Sequence, residues 1–332
     1  MFLSAAMLFI YTETPLHAGA GSGLGPVDLP IQRERITNYP IIQASGIKGA
    51  LRSEATASGA DDKEVQAVFG HDDADHAGAL SANDARILLF PVRSLTGVYT
   101  WTTSCEALAR FRRDMKVAGL ADAKLPELPT AAPKEGEALA TAPSQVLLNA
   151  TPQGGGSLVL EEFSFAATGD TLVTKWAMWL AEHALPAGDE YAFWRTKMAG
   201  GLVVLSDDDF RDFLVHATEI VTRVRLDDET KTVVPGALWT QEHLPADSLL
   251  YAPIQVSKLR VKPGPAPAAL NDTDPGVQAQ NVLAWAANAA HIPHRLQIGG
   301  DETVGRGMVA LRWQQRPAPA PQTTTTAEEP QL

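Results

Sequence analysis

Residues 1–11 read MFLSAAMLFIY, an apolar run closed by Thr12-Glu13-Thr14-Pro15, and glycines at alternate positions follow almost at once: Gly19, Gly21, Gly23 and Gly25. This succession constrains the fold more than any other feature. The apolar run has no basic segment before it and no small-residue cleavage site after it, so it reads as a buried first strand rather than an export signal. The glycines then give a flexible loop whose backbone N–H groups can approach an extended ligand closely. No other apolar run nears the roughly 20 residues needed to cross a bilayer. The lone Cys105 excludes an internal disulfide and a cysteine-only metal site. A cytoplasmic protein with no membrane partner is expected.

Hydrophobic periodicity organises the rest. A helix is expected over 45–58, with Ile47 and Leu51 on one face and Lys48 and Arg52 on a neighbouring one. One or two strands follow over 85–102, and a hairpin over 146–165 around a glycine turn at 154–156. An amphipathic helix spans 170–184 with Leu172, Trp176, Trp179, Leu180 and His183 in one stripe. A strand at 201–205, a helix at 207–216 and a second hairpin from 218 to 242 come next, then a helix over 277–290 and a strand over 308–313. Stripped of insertions, the order β-α-β-β-α-β is that of a ferredoxin-like, RRM-like α+β fold, which supports many functions. Residues 119–145 and 261–276 are rich in Pro and Ala and read as surface loops. Residues 317–332 read as a disordered low-complexity tail, leaving 1–316 as one domain enlarged by insertions.

The segment LHAGAGSGLGPVDLPIQRE, 16–34, leads into IIQASGIKGALR, 41–52. Its glycine spacing fits neither the dinucleotide fingerprint nor a Walker loop. Ser45 is a plausible N-cap, and Lys48 in the first turn opposes the helix dipole unless an anion binds there. A phosphate would let Lys48 and Arg52, four residues apart, converge with helix N–H groups; a solvated cationic face is the plain alternative. Asp28, an isolated loop carboxylate between Pro26 and Pro30, can hold a hard divalent cation or act as a base near a sugar hydroxyl, or simply form a turn. His17 can carry a proton or merely pack.

Near the end, Gly305, Gly307 and Ala310 match a degenerate dinucleotide pattern, but a strand follows where a helix is required. Flanked by Arg295, Arg306 and Arg312, this glycine turn suits backbone approach to a polyanion. His71, Asp72, Asp73, Asp75 and His76 form a polar loop rather than a scaffolded metal site, and Trp176, Trp179, Trp194 and Trp285 read as core.

Five blocks in order carry a resemblance: LHAGAGSGLGPVDLPIQRE, then PIIQASGIKGALR, ARILLFPVRSLTGVYTWTTS, GALWTQEHLPADSLLY and IGGDETVGRGMV. Together they resemble the RAMP superfamily of CRISPR proteins and, within it, the backbone subunits of type III-B (Cmr) effector complexes. The resemblance implies a ferredoxin-like core with a hairpin thumb, and copies stacked as a filament along a guide CRISPR RNA beside other Cmr-type subunits. It implies cleavage of complementary target RNA at regular intervals by a loop Asp with a divalent metal, Mg or Mn. By motif match that residue, and metal ligand, is Asp28, with His17 in the same loop and Glu242 and His243 in support. Gly21, Gly23, Ser45, Lys48, Arg52, Gly300, Gly305, Arg306 and Gly307 are the implied RNA-binding positions. A non-catalytic subunit that only coats guide RNA is the alternative.

Net charge is the one feature set against RNA, with 27 Lys+Arg against 39 Asp+Glu giving -12. The glycine-rich parts escape it. Acids and bases balance over 1–58, and from 291 to 316 four arginines face only Asp301 and Glu302.

Overall fold

Side-chain alternation places the first strand at the centre of the molecule. In β1 (Ser4–Thr12), Ala6, Leu8 and Ile10 join one hydrophobic cluster, Met7, Phe9 and Tyr11 join another, and all six are buried. A strand dry on both faces must lie between two layers, which is why its sequence shows no polar alternation. The structure is a computed structural model that describes residues 2–23, 25–71, 73, 76–120, 124–151, 154–260 and 266–315.

After β1 come β2 (Ile41–Ile42), α1 (Ala44–Ala57), α2 (Asp62–Phe69), β3 (Leu80–Ala82), β4 (Ala85–Ser94), β5 (Val98–Ser104) and α3 (Cys105–Val117). The middle of the chain forms β6 (Glu137–Ala140), β7 (Gly155–Leu160), β8 (Phe163–Gly169), α4 (Thr171–His183), α5 (Ala192–Gly200), β9 (Leu202–Leu205) and α6 (Asp207–His216). It closes with β10 (Glu219–Leu226), β11 (Val233–His243), β12 (Leu249–Val256), α7 (Pro275–Ala286), β13 (Arg295–Gln297) and β14 (Met308–Gln315).

One sheet runs β13-β14-β1-β12-β4-β5-β9-β6-β8-β7, with β2 on β4 and β3 on β12. Its neighbours β14, β1, β12 and β4 pair antiparallel. Helix α1 lies between β1 and β4 in sequence and α7 between β12 and β14, so these strands and helices form two β-α-β halves. Helices α1, α2 and α7 cover one face through Ile47, Leu51, Val68 and Val282, and α3 and α4 cover the other through Phe111, Met115, Trp176 and Leu180. Each such side chain contributes about 1.5–3 kcal/mol on burial. Among the named strands of the described residues, β10 and β11 pair only with each other. The outer part of this ribbon exposes Val224 and Leu238, whereas on β11 its root, Gln241, Glu242 and His243, is buried, with the exposed Ile220 of β10 opposite Glu242.

Several expectations need correction. Gln43 takes the N-cap position of helix α1 without a side-chain capping bond, so Ser45 sits inside its first turn and Lys48 in its second. The Ala44 N–H donates to the Asp84 carboxylate at 2.8 Å; this acid from the β3–β4 turn supplies the negative charge that the helix end favours. The expected loop 119–145 contains β6, which pairs parallel with β8 and antiparallel with β9 and buries Ala138 and Ala140. The hairpin over 146–165 reverses between Leu160 and Phe163, with Glu161 at φ 50. The glycines at 154–156 instead turn the chain between Leu148 and Ser157. Helix α7 begins at Pro275 behind an Asp274 cap, inside the expected loop 261–276; residues 261–265, the tail 317–332, Asp72 and Asp75 lie outside the described residues. Helix α3, capped by Ser104 through the Ala107 N–H, is an element the sequence reading lacks. No helix among the described residues is long and apolar enough to cross a membrane.

Candidate functional site

The loop after the alternating glycines runs alongside the root of β11. The Leu29 N–H donates to the Thr240 carbonyl and the Glu242 N–H to the Leu29 carbonyl, both at 3.0 Å, in a parallel bridge between Leu29 and Gln241. This register sets Asp28 against Thr240. The Thr240 N–H and Oγ1–H both donate to Asp28 Oδ2, at 2.7 and 2.9 Å, and the Asp28 N–H returns a bond to Thr240 Oγ1 at 3.0 Å. First the backbone and then the hydroxyl of Thr240 hold the Asp28 carboxyl below the usual carboxylate range. The residue is exposed, and its Oδ1 has no partner among the described residues. A fixed, ionised carboxylate with one open oxygen results.

Farther along β11, His17 Nδ1 lies 2.7 Å from the Glu242 carbonyl. A carbonyl only accepts, so Nδ1 carries the proton and Nε2 of the neutral ring keeps its lone pair. Gly19 leaves room for that nitrogen: a Cβ there would come within 2.7 Å of Nε2.

Glu242 and His243 are both buried, on opposite faces of β11. Glu242 Oε1 accepts from Arg33 Nη2 at 2.6 Å and Thr218 Oγ1 at 2.8 Å, while Oε2 accepts from the Ile31 N–H at 3.0 Å. A buried carboxylate so saturated fixes the loop to the ribbon. His243 is fully buried, and desolvation pushes its imidazole pKa down. Its Nε2 lies 3.3 Å from Asp301 Oδ2, and its ring centroid 5.6 Å from that of His17.

The second glycine stretch packs against the same place. The Gly300 N–H donates to the His17 carbonyl and the Gly307 N–H to the Pro15 carbonyl, both at 2.9 Å. Gly305 has φ 75 and open space beside it, and Arg306 Nη1 approaches Glu219 Oε2 at 3.6 Å, tying the loop to the ribbon. On the first stretch, Gly21 also faces open space, while the Gly23 N–H donates to the Asp28 carbonyl at 2.8 Å and closes the turn that presents it.

The fold therefore gathers His17, Asp28, Glu242, His243 and both glycine stretches around the ribbon root. Ser45, Lys48 and Arg52 stand apart on α1, linked to the loop by Gln32, which accepts from the Gln43 N–H through its side chain and from the Ile41 N–H through its carbonyl. Burial first, then the Arg52 charge, lowers the Lys48 pKa, as expected for two cations sharing one helix face. Sequence reasoning missed Thr240, Arg33 and Asp301; the only local signal for Thr240 is its place just before Gln241-Glu242-His243.

Among the described residues no three His, Cys, Asp or Glu side chains converge as a ready metal cage. The open Asp28 oxygen suits a hard cation such as Mg²⁺, which keeps several waters and takes further ligands from a substrate phosphate.

Residues 9–310 match the RAMP superfamily. Over 320 residues the chain is 36% identical to the CRISPR system Cmr endoribonuclease Cmr4 of Pyrococcus furiosus, covering 93% of this chain and 95% of that relative. The crystal structure of oligomeric Cmr4 from Pyrococcus furiosus is similar at a TM-score of 0.67 and 29% identity, over 95% of this chain and 100% of that one. A subunit of the type III-B Cmr-beta complex bound to cognate target RNA shares the fold, at a TM-score of 0.67 and 22% identity, over 94% of this chain and 98% of that one. With the family match spanning β1 to β14 and both glycine stretches that frame the ribbon root, the chain belongs to the RAMP superfamily.

Proposed function

We propose that this chain is a backbone subunit of a type III-B CRISPR effector complex in the cytoplasm. It binds guide RNA, stacks with copies of itself beside other Cmr-type subunits, and cuts complementary target RNA at regular intervals. The name of the Pyrococcus furiosus relative, a Cmr endoribonuclease, supports this reading. So does the Asp28–Thr240 clamp, the observation that carries it: an exposed carboxylate held ionised by two hydrogen bonds from Thr240, with the Asp28 N–H bonded back to the same side chain, beside two glycine stretches.

In this reading β1, α1, β4, β12, α7 and β14 are the ferredoxin-like core, residues 1–316 act as one domain, and the β10–β11 ribbon is the thumb that splays a nucleotide of the guide–target duplex. Its exposed Ile220, Val224 and Leu238 meet bases, and Lys48, Arg52, Arg306 and the open glycine backbone meet phosphates. The splayed nucleotide attains the in-line geometry that attack by its own 2′-hydroxyl demands. His17 Nε2, with its lone pair fixed by the bond at Nδ1, accepts the hydroxyl proton. Asp28 would hold a divalent metal that neutralises charge on the scissile phosphate. Glu242 and His243 keep the root in place. The products are a 2′,3′-cyclic phosphate and a 5′-hydroxyl.

The test is reconstitution with guide RNA, complementary RNA and Mg²⁺. Asp28→Ala should abolish periodic cleavage and leave target binding intact, and chelation of the metal should do the same to the unaltered complex. Periodic cleavage that survives Asp28→Ala would sink the proposal.

A further inference from the structure

We infer that Asp301 is a positioning residue for this cleavage, an inference that rests on the functional reading above. Asp301 sits in the second glycine stretch with left-handed backbone, φ 65 and ψ 28. That conformation costs an ordinary residue about 1–2 kcal/mol and is tolerated best, after glycine, by Asp and Asn. Its Oδ2 accepts from Gln241 Nε2 at 2.6 Å and from Arg223 Nη2 at 2.9 Å, and lies 3.3 Å from His243 Nε2.

All three partners belong to one face of the ribbon. Arg223 is on β10, Gln241 and His243 are on β11, and Arg223 pairs with Trp239. Side chains alternate along a strand, so Thr240 and Glu242, which hold Asp28 and Arg33, face the other way. The ribbon root is thus fastened on both faces, by Asp301 on one and by the Asp28 loop on the other. A change in the setting of Gln241 and His243 necessarily moves Glu242 between them and Thr240 next to Gln241.

Two further observations make Asp301 the one counter-charge here. Arg223 has no other carboxylate partner among the described residues. Arg223 Nε and His243 Nδ1 are buried without any partner among them, so the Asp301 carboxylate alone compensates this cluster. Its role is to set the ribbon root so that Thr240 meets Asp28, without touching the reacting atoms.

Two readouts on Asp301→Ala and Asp301→Asn test this. Amide hydrogen exchange of the isolated chain follows the Leu29 and Glu242 N–H groups, whose bonds join the loop to β11. Asp301→Ala should speed their exchange about tenfold or more while β1 amides stay unchanged. In the assembled complex with guide and target RNA, kcat should fall about 100-fold with target affinity kept within about twofold, as a misplaced catalytic group predicts. Asp301→Asn keeps the backbone preference and one acceptor oxygen but removes the charge that faces Arg223, and should recover only part of both losses. Unchanged exchange in Asp301→Ala would overturn the inference, and so would loosened exchange with full cleavage. If the unaltered complex does not cleave, the functional reading fails, and exchange alone decides whether Asp301 sets the ribbon.

Discussion

Residues 19–25 and 299–307 are both glycine-rich and both lie at the ribbon root, yet their glycines face different surroundings. In the second stretch, a Cβ on Gly299 would lie 2.4 Å from the His17 carbonyl oxygen and one on Gly307 2.1 Å from the Ile298 carbonyl oxygen, and both have positive φ. These glycines let one backbone rest on another. In the first stretch, Gly21 and Gly25 have nothing within 4 Å. That backbone is open to solvent, which is what an extended ligand needs. Gly19 and Gly23, crowded by the His17 ring and the Val27 carbonyl, and the open Gly305 are exceptions, so the contrast lies between an accessible rim at Gly21 and Gly25, near Asp28, and a packed cradle at Gly299 and Gly307, around Asp301.

Substitutions can break this contrast. Gly307→Ala, which meets both a backbone clash and a strained φ, should cost about 3 kcal/mol or more in urea unfolding, with Gly299→Ala close behind. Gly25→Ala should change stability by no more than about 0.5 kcal/mol, because the added methyl enters open space. If Gly25→Ala cost as much as Gly307→Ala, the two stretches would not differ as described. Any loss of guide-RNA affinity in Gly25→Ala at undiminished stability would sharpen the contrast, by showing that the open rim is where RNA lies.

The elements legible in the sequence are those whose burial is one-sided and local. Helix α4, expected over 170–184, and α6, expected over 207–216, form at Thr171–His183 and Asp207–His216, because their apolar stripes and their Asp170 and Ser206 caps lie within the segments themselves. Strand β6 is illegible for the opposite reason: Glu137–Ala140 has little β-propensity of its own and exists because β8 and β9 supply partners on both sides. In β12, Pro253 argues against a strand, yet it pairs with Met7 at the centre of the sheet. Helix α3 shows Leu108, Phe111 and Met115 at helical spacing, but six charged residues within the same segment mask that signal.

The site divides in the same way. Asp28 stands out as an isolated loop carboxylate, but Thr240, which fixes it, is 212 positions away, and no pattern in the chain announces that pairing. Nor does anything local tell Glu242, saturated by Arg33, Thr218 and Ile31, from a carboxylate free to act. Residue types announce candidate chemistry, whereas register between distant segments decides which groups stay open to a ligand.

The most direct test of the account is the single-turnover rate of target cleavage by complexes assembled with Asp28→Asn. This change keeps the size of the side chain while removing its charge. The account predicts a fall of about 100-fold or more, typical of losing a positioned charged group, with target affinity kept within about twofold. Cleavage within about threefold of the unaltered complex, at the same regular intervals, would contradict it.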